Sequence, residues 1–383
     1  MELHANGQLT STKCSGVLAG EFAGVAPVQA ELRMSRRWRN SSEWSLLSLR
    51  LRSCPEGATF ASLLSGVKLL EPALCLHRQL LRVQSVCPLR IFYDQLPTPA
   101  VHRLESEVGK DQATAASWLL HNANMTLAVH AIMGAKVESN ASAAPDVVGR
   151  RLLSKSSSMS FAFSSAGMLG KLALFALLQF SRIVFIDIDV LVLHNIDALF
   201  ALPPGKLGAV HVGGSCTRTV PWEPFNSGVL VITPDASTFN RMMLRLCMWY
   251  AQPLHNKTDV YERLFGSSCA MYSQGRAVSA VPGHQKRLIK VCERRILDQS
   301  VLNFHFRSDY IRLPYSYNAV PTTWRQIPPI SGGLTSLAII HYVGEPKPWV
   351  YSPTWDGHTH SSKVKLQPWK REARKLWNAT CSR

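Results

Sequence analysis

The chain lacks several features that would place it in a common class. Within its 383 residues no apolar run approaches the roughly 20 residues needed to cross a bilayer. Its nine cysteines form no CxxC pair, which argues against a structural zinc cluster, and their odd number leaves at least one thiol unpaired. No helix-turn-helix, zinc-finger or RNA-binding signature is present, so nucleic acid is not an expected partner.

Acidic residues are scarce relative to basic ones. The chain has 42 Lys and Arg against 25 Asp and Glu, a formal net charge of +17. The basic residues are most concentrated at 33–52, 286–295 and 363–375. Such a surface is either simply solvated or binds an anionic partner such as a nucleotide, an anionic polysaccharide or a membrane surface. The sequence leaves both interpretations open.

Signals for a cellular compartment point in two directions. The N-terminal residues lack the basic flank and apolar core of a secretory signal. Five Asn-x-Ser/Thr sequons favour the Golgi or another secretory lumen. Their asparagines are Asn40, Asn124, Asn140, Asn256 and Asn378. A cytosolic location and a chain without its targeting segment both stay open.

Composition divides the chain into three parts. Residues 1–56 are rich in Gly, Ala, Ser and Arg with little periodicity, and we expect a poorly ordered or accessory extension there. Residues 57–350 are predicted to form a single folded, catalytic domain. Residues 351–383 are predicted to form a basic C-terminal tail that contains tryptophan.

Apolar strands alternate with helices along the predicted domain. We predict strands at 88–94, 126–132, 182–187, 207–212, 227–233 and 336–343, helices at 66–83, 167–180 and 237–251, and a Ser-rich loop at 141–160. The third helix is expected to begin on a Ser/Thr cap. This alternation predicts an α/β fold with a largely parallel sheet, whose ligands gather at the carboxyl ends of the strands.

Two aspartates, Asp187 and Asp189, follow the apolar strand RIVFI. In an extended backbone residues two apart point to the same side, so both carboxylates are expected at one edge of the sheet. Their mutual repulsion calls for a cation, and Mg²⁺ or Mn²⁺ prefers such ligands and often bridges to a diphosphate. A simpler alternative has one aspartate capping the next turn and the other solvated.

The same stretch resembles the nucleophile motif of haloacid-dehalogenase-type phosphatases. In that family a later acidic pair holds Mg²⁺. This chain has no Asp-Asp pair and no GDxxxD downstream of Asp187. A DxD phosphatase is therefore the weaker alternative.

Five segments that follow Asp187 in a fixed order favour the metal and diphosphate interpretation over the phosphatase. They are VLVLHNIDALF, FNSGVLVITPDASTFNRMM, LDQSVLNFHF, LPYSYN and IIHYVGEPKPW. In this order and spacing, over about residues 57–350, the chain resembles glycosyltransferase family 8, in particular its glycogenin-like branch with the plant glycogenin-like and glucuronosyltransferase-type relatives. The resemblance implies a single Rossmann-like nucleotide-diphospho-sugar transferase domain of GT-A type with a mixed, mostly parallel central sheet.

The resemblance also implies a metal site. Asp187, Asp189 and His341 would hold Mn²⁺, with Mg²⁺ as the alternative, on the diphosphate of a UDP-sugar. The sequence agrees, because His341 ends an apolar strand from which its imidazole could reach the same edge as the aspartates. Gly344 would let the backbone approach phosphate closely, and Lys347 would neutralise charge on the departing diphosphate.

A second group of residues is implied to bind or transfer the sugar. Asp298 and Gln299 would face the transferred sugar. Lys171, a charge inside an apolar helix that would be costly to bury unpaired, would lie near the sugar and phosphates. The implied substrate-binding residues are Ile188, Asn226, Ser227, Gly228, Gly344 and Lys347.

The expected activity is metal-dependent, retaining transfer of a hexose, glucose or a related sugar, from a UDP-sugar to a glycan, protein or small polyol. Asp298 and Gln299 would support an oxocarbenium-like centre while the metal and Lys347 stabilise the leaving UDP. Self-glucosylation ahead of the final motif is not expected, because residues 319–340 contain no tyrosine. A homodimer is left open, and a catalytically inactive UDP-sugar- or glycan-binding relative is the alternative of a different class.

Overall fold

The computed structural model describes residues 50–94, 96–115, 168–211, 224–250, 298–307, 309–320, 337–343, 347–350 and 368–381. The strand predicted at 126–132, the loop predicted at 141–160 and most of the predicted extension at 1–56 lie outside these stretches. Among the helices within them, none combines the length and the apolar character that a membrane span requires.

A seven-stranded sheet forms the centre of the fold. Its strands are β1 (Ala58–Ser65), β2 (Leu89–Asp94), β3 (Ala113–Ala115), β4 (Arg182–Ile186), β6 (Leu207–His211), β7 (Phe225–Ile232) and β8 (Tyr310–Leu313). They lie in the order β3-β2-β1-β4-β7-β6-β8, and β7 runs antiparallel to both of its neighbours while the other pairings are parallel. The predicted α/β class with a mixed, mostly parallel central sheet is confirmed.

Six α-helices, five short 3₁₀ helices and a second, small sheet complete the described elements. The helices are α1 (Leu70–Arg82), α2 (Thr98–Val108), α3 (Met168–Ala173), α4 (Ala236–Tyr250), α5 (Asp298–Phe306) and α6 (Pro368–Cys381). The small sheet pairs β5 (Val190–Val192) antiparallel with β9 (Ile339–His341). It lies just beyond the end of β4, since β5 begins four residues after Ile186.

Apolar side chains alternate across β4 and so build two cores. Ile183 and Phe185 pack on one face with residues of α3, α4 and α5. Val184 and Ile186 pack on the other face with residues of α1, α2 and β5. All four are fully buried, as expected of a central strand that is covered on both faces. The end of β4 is therefore held rigidly where the acidic pair begins.

Two helix boundaries differ from the sequence prediction. The helix predicted at 167–180 is α-helical only to Ala173 and continues as a short 3₁₀ turn over Leu174–Ala176. The Phe175 carbonyl accepts from the backbone N–H of Asp235, so it is satisfied outside the helix. The predicted Ser/Thr cap of the third helix is replaced by Asp235, whose Oδ1 accepts from Thr238 N at 2.6 Å.

Two disulfides, which the sequence left unassigned, join distant parts of the chain. Cys54 is bonded to Cys87, next to β1 and β2. Cys75 on α1 is bonded to Cys381 at the end of α6, a separation of 306 residues. The second bond fixes a helix from the segment predicted as a C-terminal tail onto the central fold.

Candidate metal centre

The antiparallel direction of β7 creates the main edge of the site. Because β7 runs against β4, its first residues lie beside the carboxyl end of β4. The backbone N–H of Asp187 donates to the carbonyl of Gly228 at 2.8 Å. The FNSG segment and the first aspartate are therefore adjacent, although 41 residues separate Asp187 from Gly228 in the sequence.

Pairing of the small sheet brings the histidine to the same place. Val190 lies opposite His341 in the register of β5 and β9. The Asp189 carbonyl also accepts from the backbone N–H of Tyr342 at 2.9 Å. Asp187, Asp189 and His341 thus converge, with potential ligand atoms all within 4.8 Å of one another.

Hydrogen bonds on the far side of the imidazole determine what it presents to the carboxylates. Nδ1 of His341 lies 2.9 Å from Oδ1 of Asn318, and Nδ2 of Asn318 donates to Oδ1 of Asn226 at 2.8 Å. Because the amide of Asn318 is oriented by that second bond, Nδ1 of His341 is the donor. In the neutral ring the Nε2 lone pair then faces Asp189 Oδ1 at 3.2 Å and Asp187 Oδ2 at 3.7 Å.

Three acceptor atoms that converge in this way fit a cation. Two carboxylate oxygens and a neutral imidazole nitrogen are ordinary ligands of divalent metals, and the bond from Asn318 is the outer contact that such a histidine usually makes. The absence of a side chain at position 228 makes room for the ring. A Cβ there would lie 2.1 Å from His341 Cε1 and 2.4 Å from its Nδ1.

Lys171 is buried and surrounded by carboxylates. Its Nζ lies 3.0 Å from Asp187 Oδ1 and 2.8 Å from Asp298 Oδ2, and it donates to the Ser227 carbonyl at 3.2 Å. Burial alone would lower the pKa of Lys171, but the charges of Asp187 and Asp298 raise it above its ordinary value. The lysine is therefore a permanent cation that links the acidic pair to the first turn of α5.

The two aspartates of the pair have opposite electrostatic surroundings. Burial raises the pKa of Asp187, and the nearby Lys171 charge only partly opposes that effect. Burial would raise the pKa of Asp189 as well, but its contacts with His341 and Lys347 bring that pKa below the ordinary value. Lys347 Nζ lies 2.5 Å from Asp189 Oδ2 and donates to the Tyr342 carbonyl at 2.8 Å. The pair thus has a lysine on each side, but the surroundings favour the charged form only at Asp189.

The first turn of α5 faces the start of β7. Ser227 donates through Oγ to Asp298 Oδ2 at 2.9 Å and through its backbone N–H to Gln299 Oε1 at 3.0 Å. One turn further, Asn303 accepts from the N–H of Phe225 at 2.7 Å and donates to its carbonyl at 2.8 Å. These two hydrogen bonds fix the position of α5 along β7 and therefore the position of Asp298 and Gln299.

The structure brings most of the predicted site residues to one edge. Asp187, Asp189, His341, Lys171, Lys347, Asn226, Ser227, Gly228, Asp298 and Gln299 all take part in the contacts above. The side chain of Ile188 is buried in the core, so a substrate contact there would come from its main chain. Gly344 lies outside the described residues.

Sequence reasoning missed three residues that hold this edge together. They are Asn303, Asn318 and Tyr342, which orient α5, His341 and Lys347 respectively. Asn303 lies within the LDQSVLNFHF segment and Asn318 ends the LPYSYN segment, so their place in a motif was a usable signal. Tyr342 acts through its main chain, which no residue pattern reveals.

Comparison with known proteins follows the same segments. A family model described as "Glycosyl transferase family 8" matches residues 286–352, which include the first turn of α5, His341 and Lys347. A glycogenin of Neurospora crassa is 29% identical over 186 residues, covering 48% of this chain and 20% of the glycogenin. These matches support the resemblance to glycosyltransferase family 8, on its glycogenin-like side. The mixed sheet with the acidic pair after β4 agrees with the fold class that the resemblance predicts.

Two further matches extend the comparison. A putative UDP-glucuronate:xylan alpha-glucuronosyltransferase 3 of Arabidopsis thaliana is 41% identical over 73 residues, covering 19% of this chain and 10% of that protein. This chain thus spans well under half the length of either curated relative. The galactosyltransferase LgtC, solved with donor and acceptor sugar analogues, is 13% identical with a TM-score of 0.41, covering 85% of this chain and 95% of that one.

Proposed function

We propose that this family 8 relative is a metal-dependent, retaining glycosyltransferase that moves a hexose from a UDP-sugar to a glycan, protein or small polyol. The observation that carries the proposal is the convergence of Asp187, Asp189 and His341, three acceptors beside the cation of Lys347. A diphosphate is the substrate group that such a mixture of metal ligands and a lysine is suited to bind.

The ligand set supports Mn²⁺, with Mg²⁺ as the alternative. Asp187 and Asp189 supply the carboxylate oxygens that both ions prefer, whereas the imidazole of His341 is less typical of Mg²⁺, whose ligands are nearly all oxygen. When bound, the cation supplies positive charge to the diphosphate and so makes UDP a better leaving group.

Lys347 is proposed to stabilise the departing diphosphate. Its Nζ is held between Asp189 Oδ2 and the Tyr342 carbonyl, so the ammonium is already positioned at the metal-binding edge. A pre-positioned cation costs little reorganisation when charge develops on the leaving group. Gly344, for which a close approach to phosphate is expected, stays a prediction.

Residues on the α5 side are proposed to bind the sugar. The Gln299 side chain accepts from the backbone N–H of Ser227 through Oε1, which places an amide, a group suited to hydrogen bonding with sugar hydroxyls, at this edge. Asn226 accepts from Gly228 and Asn318 through Oδ1, so its amide nitrogen is the end of the side chain that would donate to a sugar hydroxyl. Asp298, bridged to Asp187 by Lys171, supplies negative charge near an anomeric carbon that becomes positive in the transition state.

Several features bear on donor and compartment. The name of the matched xylan alpha-glucuronosyltransferase specifies a UDP-sugar donor, which supports a UDP-sugar here. Two disulfides add to the five sequons in favour of a secretory lumen such as the Golgi. A homodimer stays a prediction.

The competing interpretation is a catalytically inactive UDP-sugar- or glycan-binding relative. Hydrolysis of a panel of UDP-sugars, measured with Mn²⁺ and with chelator, separates the two. We expect turnover of one or a few donors that needs the metal and falls by about 100-fold or more in Asp189→Ala. Asp309→Ala, at an exposed aspartate paired with Lys206, is the matched control and should leave turnover unchanged.

Two outcomes would contradict the proposal. One is metal-independent turnover, and the other is no turnover of any donor by a protein that is folded. Proton NMR of the sugar product decides the stereochemistry, because a retaining enzyme releases the α-anomer first from an α-linked donor.

A further inference from the structure

Helix α6 covers the outer face of the small sheet that carries the metal ligands. Leu191 and Ile340 point away from the second core, and both pack in a third cluster with Trp377 of α6. Leu191 comes two residues after Asp189, and Ile340 comes directly before His341. Trp377 is only 3% exposed, so this cover is a packed contact.

The rings around Trp377 belong to residues on both sides of Lys347. Tyr342 meets Trp377 edge to face at 5.5 Å, and Trp349 meets it at 5.0 Å. Tyr342 in turn donates its N–H to the Asp189 carbonyl and accepts from Lys347 Nζ. Trp377 is therefore one residue removed from two of the groups assigned to the metal and diphosphate.

The C-terminal end of α6 is also connected to the small sheet, at strand β5, by a second set of contacts. Cys381 is bonded to Cys75, and Gln79 donates to both sulfurs, at 2.9 Å for Cys75 and 3.3 Å for Cys381. The other end of the Gln79 amide accepts from the N–H of Val192 in β5 at 2.7 Å. Gln79 is buried, so losing these partners would leave its amide without the hydrogen bonds that a buried polar group requires.

From these contacts we propose that α6 is a brace for the metal-binding edge, with Trp377 as a positioning residue for Tyr342 and Trp349, and through them for Asp189, His341 and Lys347. The brace comes from residues beyond the 286–352 stretch that the family model matches. Trp377 is proposed to act through Tyr342 and Trp349 and not as a ligand of the metal or the sugar. The functional part of this inference rests on the proposed function, whereas its structural part can be measured without any metal.

Hydrogen–deuterium exchange of the full chain tests the structural part. In Trp377→Ala, measured well below its unfolding temperature, we expect exchange to rise about 10-fold or more in peptides covering 190–193 and 339–343, and to stay unchanged in β1. Lys375→Ala, an exposed residue on the same helix, is the matched control. Unchanged exchange in both peptides of Trp377→Ala would overturn the brace.

Mn²⁺ affinity and donor KM test the functional part. We expect the Mn²⁺ dissociation constant and the donor KM of Trp377→Ala to rise about 10-fold, the size of effect seen when contacts behind metal ligands are lost. Trp377→Phe, which keeps an aromatic ring, should recover most of both. A merely structural role would lower the unfolding temperature and leave both constants unchanged, which would also overturn the proposal.

A variant with the tryptophan intact covers the case in which Trp377→Ala does not fold. The double variant Cys75→Ala/Cys381→Ala removes the second tie, and it should raise exchange in peptide 190–193 through the loss of the contacts to Gln79. If it exchanges like the parent protein, α6 is not a brace. If the parent binds no Mn²⁺ and turns over no donor, the proposed function fails, and the exchange results still decide the brace on their own.

Discussion

The orientation of His341 is set by Asn318. Oδ1 of the amide lies 2.9 Å from Nδ1 of the imidazole, and the amide itself is oriented by Asn226, whose Oδ1 also accepts from the backbone N–H of Gly228. A backbone group of β7 therefore determines, through two asparagines, which nitrogen of the histidine carries the proton. The metal-facing lone pair on Nε2 is the result.

Removal of the amide at position 318 should weaken metal binding more than it weakens the fold. In Asn318→Ala the imidazole loses its acceptor, and we expect the Mn²⁺ dissociation constant to rise about 10- to 100-fold. Asn195→Ala, which removes a comparable amide network beside Val83 and Asp197, should leave it unchanged. Calorimetric titration measures the Mn²⁺ affinity of both variants and of the parent. Equal affinity in Asn318→Ala and the parent would refute the orienting role of Asn318.

Gly228 should not tolerate even a methyl group. Its Cβ would overlap the His341 ring and lie 2.9 Å from Asn226 Oδ1, so Gly228→Ala must displace the histidine. We expect Mn²⁺ binding to be lost and turnover to fall by about 100-fold. Gly205→Ala measures the cost of a methyl group at a positive φ away from the site, because a Cβ there meets nothing within 4 Å. Parent-like Mn²⁺ binding by Gly228→Ala would show that the ring lies elsewhere.

Lys171 should substitute in part for the metal when no metal is bound. In chelator, Lys171→Met leaves the partly buried carboxylates of Asp187 and Asp298 without this cation, which we expect to cost about 3 kcal/mol of unfolding free energy. Saturating Mn²⁺ should then raise the unfolding temperature of the variant by more than that of the parent. Lys206→Met, at an exposed pair, should change stability little. Identical stability of the Lys171→Met variant and the parent in chelator would contradict this account.

Much of this edge follows from the sequence by simple periodicity. The four consecutive apolar residues 183–186 of β4 are typical of a strand buried on both faces, and the two-residue period then puts Asp187 and Asp189 on one side. The direction of β7 was not predictable in this way, because a parallel and an antiparallel strand share the same apolar pattern. That direction is what places FNSG beside Asp187.

Contacts between distant segments account for the rest of what the sequence did not reveal. β5 and β9 have three residues each, too few for a pattern, and they form because each is covered on two faces. The pairing of Cys75 with Cys381 could not be chosen among nine cysteines. Trp377 looked like one aromatic in a basic tail, since only the fold shows that it faces Tyr342.

His305 on α5 should make stability depend on pH at a distance from the metal ligands. Burial, followed by the charges of Arg245 and Arg241, lowers its pKa to about 4, against an ordinary value of 6.5. The unfolded chain therefore takes up a proton between pH 6.5 and 4 that the folded chain does not. The contribution to stability is complete above pH 6.5 and is lost as the pH falls toward 4.

The lowered pKa of His305 also sets the size of this loss of stability at low pH and the way to measure it. Since the ring is partly solvated, we expect on the order of 1 to 2 kcal/mol. His305→Gln keeps an acceptor for Arg245 without a titrating group, so the fall in unfolding free energy between pH 7 and pH 5 should be smaller than in the parent. The unfolding free energies are measured by urea unfolding at each pH. An equal fall between pH 7 and pH 5 in the two proteins would show that His305 contributes nothing to the pH dependence.

The most direct test of the central claim is equilibrium binding of Mn²⁺, measured by electron paramagnetic resonance with and without UDP. We expect one Mn²⁺ per chain, bound more tightly when UDP is present, and no such site in Asp187→Asn/Asp189→Asn, which keeps the side-chain shape and removes the charge. Asp309→Asn should bind like the parent. A parent protein that binds no Mn²⁺, or a double variant that binds it equally well, would contradict the account.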